Sequence, residues 1–94
     1  MRRTERACHV VPVRLLVVED EPRLAKALQR GLAAEGYVVD VAADGAAGLE
    51  AARHEEYDAV VLDIMLPRLS GYRVVQALRG EGNWVPVQIG RAHV

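Results

Sequence analysis

An open α/β layer of parallel strands is the fold class this sequence predicts, and three observations predict it. Two short apolar runs, Leu15-Leu16-Val17-Val18 and Tyr57-Asp58-Ala59-Val60-Val61-Leu62, read as buried strands. Both end in acid, the first at Glu19-Asp20-Glu21 and the second at Asp63. Segments of helical periodicity separate such runs at short intervals, giving strand, helix, strand, helix, strand, helix, strand, the alternation of a parallel sheet with crossover helices. Right-handed crossovers set the hand of each unit.

Residues 1–12 are charged, irregular and end in Pro12, and are expected to form a disordered leader. Arg14–Val18 is the first strand. Asp20-Glu21-Pro22 places a capping acid before a proline in the first turn, a helix-start signal. Leu24, Ala27, Leu28, Gly31 and Leu32 then recur at helical spacing, with Arg23, Lys26 and Arg30 on other faces. Gly36 ends this helix as a left-handed cap. Tyr37-Val38-Val39-Asp40-Val41 is short and β-branched, so it forms the second strand. Asp44 caps an alanine-rich second helix reaching about His54, and residues 57–62 are the third strand. Ser70 caps a third helix whose inner stripe is Val74, Val75 and Leu78, closed by Gly80 and Gly82. Trp84-Val85-Pro86-Val87 begins a fourth strand.

At 94 residues and 51% apolar, the chain is at most one small domain. Chains of this size bury only roughly 60–65% of their unfolded surface, so losing one element is costly. A net charge of −1 offers no electrostatic case for nucleic acid or an acidic membrane surface. The single cysteine, Cys8, cannot form an internal disulfide, which fits a reducing cytoplasm. No apolar run approaches the ~20 residues of a membrane span, and Pro12 and Arg14 interrupt any signal-peptide core. The expected location is cytoplasmic.

Parallel neighbours place their carboxyl ends on one edge, where open α/β sheets bind ligands. Three or four carboxylates meeting there repel one another by several kcal/mol unless a cation neutralises them. A hard divalent ion held through oxygen, with one carboxylate left to react, resolves this. Each acid also has a plainer reading: Glu19, Asp20 and Glu21 as acids complementing a helix dipole, and Asp63 as a strand-end turn former. Met65 and Leu66 read as packing residues through their side chains. His9, His54 and His93 lack ligand spacing and read as surface histidines, and Arg23, Lys26 and Arg30 as a solvated face.

With these residues in place, the chain resembles a response-regulator receiver domain of bacterial two-component systems over residues 13–87. Leu16-Val17-Val18-Glu19-Asp20-Glu21 and Val61-Leu62-Asp63-Ile64-Met65-Leu66-Pro67, with Ser70-Gly71 closing the loop, carry the resemblance. The Glu-Asp pair and the Met-Leu-Pro loop look most like the OmpR/PhoB-type winged-helix regulators. The resemblance implies a flavodoxin-like sheet of strand order 2-1-3-4. It implies phosphorylation of Asp63 by a partner sensor histidine kinase, with Mg²⁺ held by Glu19, Asp20, Asp63 and the backbone carbonyl of Met65. The helix bearing Arg23, Lys26 and Arg30 helps dock the kinase in that family. A DNA-binding output domain is expected in the full regulator, whereas residues 13–87 bind no nucleic acid.

The chain departs from the family after the fourth strand. The fifth strand and last two helices are missing, no Ser or Thr follows Ser70, and the only lysine, Lys26, lies on the first helix. The family's switch works through that hydroxyl and lysine. Residues 88–94 resemble the conceptual translation of a synthetic sequencing adapter and are expected to be a non-native tail on a receiver fragment. One sheet face should lose cover over the first and third strands, leaving the fourth a bare edge and the fold weak. Two other functions compete. An aspartyl phosphatase of the haloacid-dehalogenase type needs a second aspartate two residues on, where Met65 stands. A phosphate-independent interaction module is the other, because the absence of that hydroxyl and lysine removes the switch. A dinucleotide-binding domain is excluded by Glu19-Asp20-Glu21-Pro22, which would repel a pyrophosphate where a Gly-rich turn belongs.

Overall fold

Four strands, β1 (Arg14–Val18), β2 (Val38–Ala42), β3 (Ala59–Asp63) and β4 (Val87–Gly90), pair in parallel in the order β2-β1-β3-β4. Three helices, α1 (Pro22–Ala34), α2 (Gly45–His54) and α3 (Gly71–Gly80), connect them. This computed structural model describes residues 12–63, 66 and 69–90. The backbone of Met65, Pro67, residues 1–11 and the end of the tail from residue 91 lie outside the described residues, as do Cys8, His9 and His93.

Alternation along the strands divides the core. Leu16 and Val18 of β1 and Val60 and Leu62 of β3 pack with Leu49 and Ala52 of α2 and Val74 and Leu78 of α3. Leu15 and Val17 point the other way, toward α1, which lies across β1 and β2. Fully burying a Leu or Val side chain stabilises by about 1.5–3 kcal/mol, so the residues shared by α2, α3 and the two central strands dominate cohesion.

The α1 face is thinner than the helical spacing suggested. Its one buried residue is Ala25, with Leu24, Leu28, Gln29 and Leu32 half-buried and Ala27 and Gly31 exposed. The open part of the sheet lies over β3 and β4 rather than over β1. Val17 is buried beneath α1, whereas Val61 is half-buried and Gln88 exposed. α1 ends as expected, with Gly36 at φ 98° and the Gly36 and Tyr37 amides closing on Ala33 and Leu32 carbonyls.

The fourth strand is displaced from its expected position. It runs over Val87–Gly90, so residues 88–90, set apart as tail on sequence grounds, complete it. Asn83 and Val85 instead belong to the exit from α3: Arg79 donates to both carbonyls at 2.9 Å, and the Asn83 amide donates to the Leu78 carbonyl. Trp84 is 73% exposed and stacks under Arg79. Val87 and Ile89 then face the core opposite Val60 and Leu62, the alternation that Trp84 and Pro86 could not supply. The second strand starts one residue later than expected and the third two residues later, and Val75 is only half-buried.

Polar groups tie the opposite end of the sheet. The Tyr57 hydroxyl donates to Asp40 at 2.7 Å, the Arg14 guanidinium reaches Asp40 and Glu55, and the Arg14 amide donates to Asp58 at 2.7 Å. β1, β2 and β3 are thereby aligned at their amino ends. That alignment sets which residues meet at the other end.

Candidate metal centre

Register brings the acids together. Val18 of β1 pairs with Leu62 of β3, so the next residues, Glu19 just past β1 and Asp63 at the end of β3, lie side by side. Glu19, Asp20 and Asp63 each offer a carboxylate oxygen, and these oxygens lie within 4.8 Å of one another. Glu19 is 3% and Asp63 2% exposed, while Asp20 faces solvent. Among the described residues this is the only group of three or more acids, histidines or cysteines with metal-holding spacing.

Glu21 does not join it. Its carboxylate caps α1, accepting from the Arg23 and Leu24 amides at 3.0 and 3.2 Å. Its own amide donates to Glu19 at 3.0 Å, which holds the Glu19 carboxylate beside the strand end. The cluster therefore has three members, and the fourth acid orients one of them. Pro22 in the first turn suits this arrangement, since it has no amide to satisfy.

An all-oxygen donor set of two buried acids and one exposed acid fits a hard cation such as Mg²⁺ or Ca²⁺ better than a thiolate- or imidazole-seeking metal. Charge density points the same way. At ~4.8 Å and an effective dielectric near 20, each charged pair costs about 3 kcal/mol, which a divalent ion would reverse. Glu19 and Asp63 also line a cleft of about 220 Å³ with Leu28, Val61, Gln88 and Gly90. A larger groove of about 860 Å³ opens at the other end of the sheet, among Arg14, Arg53, Tyr57, Glu81 and Trp84. Several of its charges pair with one another, as Arg14 does with Glu55 and Arg53 with Glu81. That pairing holds the Arg53 guanidinium above, and the Glu81 carboxyl below, its ordinary value.

The sequence-expected residues divide cleanly. Glu19, Asp20 and Asp63 converge, while Met65 falls outside the described residues. Leu66 is buried in the core as a packing residue, and His54 is an exposed residue held against Glu50. Arg23, Lys26 and Arg30 are exposed. Periodicity missed the close seating of Gly45 and Gly48 against Leu69 and Val18, because a glycine on a buried helix face resembles one in a flexible turn.

The sequence model of the response regulator receiver domain matches residues 15–93 of this chain. The chain belongs to the response-regulator receiver family. This receiver is 49% identical over 83 residues to the transcriptional regulatory protein TcrA of Mycobacterium tuberculosis, covering 87% of its own length and 33% of TcrA. It thus spans about a third of the length of the curated relatives it matches. The relatives are OmpR/PhoB-type regulators. Among solved structures, the receiver domain of the Francisella response regulator 1452 superposes with a TM-score of 0.82 at 30% identity, covering 86% of this chain and 67% of that one. The receiver domain of a sensor histidine kinase from Pseudomonas aeruginosa PAO1 superposes at 0.81 with 32% identity, covering 88% and 70%. That structure has a magnesium ion coordinated in its active-site cleft. No helix among the described residues of this receiver is long and apolar enough to cross a membrane.

Proposed function

We propose that this receiver is the phosphoacceptor module of a two-component phosphorelay. Asp63 takes a phosphoryl group from a partner sensor histidine kinase, and Mg²⁺ is held by Glu19, Asp20, Asp63 and the backbone carbonyl of Met65. The observation that carries this reading is the convergence of three carboxylate oxygens within 4.8 Å at the carboxyl ends of β1 and β3. The magnesium in the Pseudomonas neighbour supports the choice of ion.

An oxygen of the Asp63 carboxylate attacks phosphorus, and the bond from phosphorus to the donor nitrogen or oxygen breaks. The leaving group keeps the electron pair, and Asp63 becomes an acyl phosphate. When bound, the cation supplies charge that offsets the phosphoryl oxygens in a loose transition state. Burial of Asp63 at the end of a rigid strand fixes the direction of attack. Glu19, oriented by the Glu21 amide, stays beside it without competing as nucleophile. The chain acts as a relay rather than as an enzyme with its own substrate, works in the cytoplasm, and serves a DNA-binding output domain in the full regulator.

Acetyl phosphate with Mg²⁺ tests the reading without the unknown kinase. Wild type should gain one phosphoryl group labile to alkali and to hydroxylamine, and Asp63→Asn none. Equal labelling of the two proteins, or labelling unaffected by a chelator, would defeat it.

A further inference from the structure

Among the described residues β4 is an outer strand, paired with β3 on one side only. Register fixes which of its backbone groups face the other side. The Val60 amide donates to the Pro86 carbonyl at 2.9 Å, and Val60 stands opposite Val87. In a parallel ladder the groups turned toward β3 then belong to Pro86, Gln88 and Gly90, and those of Val87 and Ile89 turn outward. Strand edges are ordinarily blunted by charge, proline or a bulge. Val87–Gly90 has none of these: it is uncharged and pairs without interruption. The outer strand on the opposite side, β2, carries Asp40 with the Arg14 guanidinium against it.

The sequence Val-Gln-Ile-Gly is self-complementary about Gln88. Laid antiparallel on a second copy, with a two-fold axis through Gln88, Val87 meets the second copy's Ile89 and Ile89 meets its Val87. Both become hydrogen-bonded pairs, each exchanging two N–H···O bonds, and the two Gln88 residues form the close pair between them. Opposite residues of an antiparallel pair share a face. Val87 and Ile89, half-buried against the core, therefore continue as one apolar strip across the axis. α3 flanks that strip. Arg79 donates to the Val85 carbonyl just ahead of β4, and half-buried Val75 and 61%-exposed Tyr72 lie on the same helix stripe. We propose that this chain forms a two-fold dimer through β4, joining its sheet to that of a second copy with the α3 helices on one face. Such an interface closes on itself, because the two-fold occupies the β4 edge of both copies. It is independent of the phosphoacceptor reading.

Sedimentation equilibrium of the full chain, carried into the high micromolar range, should show monomer and dimer in exchange. Gln88 is exposed, so Gln88→Lys and Gln88→Glu should keep the wild-type fold, verified by circular dichroism. Each sets like charges opposite one another across the axis and should weaken the dimer roughly tenfold or more. Mixed in equal amounts, the two variants should recover a dimer at least as tight as wild type. Only a register that places Gln88 opposite itself predicts that recovery. Amide exchange followed by NMR reads the same contact without substitution. The Val87 and Ile89 amides should gain protection as concentration rises, while that of Gln88, turned toward β3, should not. A wild type that stays monomeric throughout that range, or that grows into open-ended oligomers, overturns the proposal. A dimer indifferent to both charges, or variants that remain apart when mixed, overturns it equally.

Discussion

Asp63→Asn should stabilise this receiver in a chelator and abolish its stabilisation by Mg²⁺. The oxygens of Glu19, Asp20 and Asp63 lie within 4.8 Å of one another, so Asp63 takes part in two close pairs. Each is worth about 3 kcal/mol at an effective dielectric near 20. The pair with exposed Asp20 is discounted for solvent screening, and Asp63 makes further interactions that an amide only partly keeps. A net gain of about 1–3 kcal/mol remains. Mg²⁺ at 100 times its Kd should in turn stabilise wild type by about 2.7 kcal/mol. The two proteins should therefore exchange rank, or draw level, when Mg²⁺ replaces chelator. For a domain of this size the shifts are about 4–8 °C per kcal/mol, large enough for melts followed by circular dichroism. Asp63→Asn melting below wild type in chelator would refute the reasoning, as would equal Mg²⁺ responses in the two proteins.

Other perturbations probe the scaffold. Leu78→Ala removes a fully buried side chain of the α3 core and should cost about 2–5 kcal/mol, read as a loss of the urea transition at 25 °C. Ser70→Ala deletes the α3 cap and should cost about 1 kcal/mol; a midpoint unchanged in urea would contradict that capping role. Burial, then the hydrogen bond to Asp40, pushes the Tyr57 hydroxyl up from its usual value of 10 to about 12. A folded value above the unfolded one means its stabilisation is complete below pH 10 and lost as pH rises through 12. Tyr57→Phe should cost about 1 kcal/mol at neutral pH and flatten the decline in urea midpoint between pH 10 and 12; an equally steep decline in the variant would contradict this.

Sequence patterning located the strands that bear the site well, because β1 is buried on both faces, β3 is buried on the face toward α2 and α3, and both read as apolar runs. It located β4 poorly. Val85, Pro86 and Val87 have the composition of a strand, but Asn83 and Val85 are bound to Arg79, and Pro86 has no amide to give a ladder. On α1, periodicity chose Ala27 and Gly31 over Ala25 and Gln29. A helix half-covered on a thin face leaves several stripes nearly equivalent, and the contact between the Gln29 side chain and the Val39 carbonyl is invisible to hydropathy. The roles within the acid run were legible only as a group. One-residue steps send Glu19 to the cluster and Glu21 to the helix cap, and that division follows from where Pro22 starts the helix.

Strand register is what converts two separate acidic stretches into one site. Side chains alternate along β3, so Val60 and Leu62 enter the core beneath α2 and α3 while Asp63 turns to the other face. A slip of one residue between β1 and β3 would send Leu62 out and Asp63 into the apolar layer against Val74 and Leu78, which hydrophobic burial forbids. The same burial that stabilises the sheet therefore holds Glu19 and Asp63 together against their mutual repulsion. The Arg14, Asp40 and Tyr57 network reinforces that register from the far end. Weakening this network should thus act on the acids about one strand length away: Asp40→Ala should lower Mg²⁺ affinity only to the extent that it lowers stability. A variant that stays fully folded yet loses Mg²⁺ binding would show that something other than register carries the coupling.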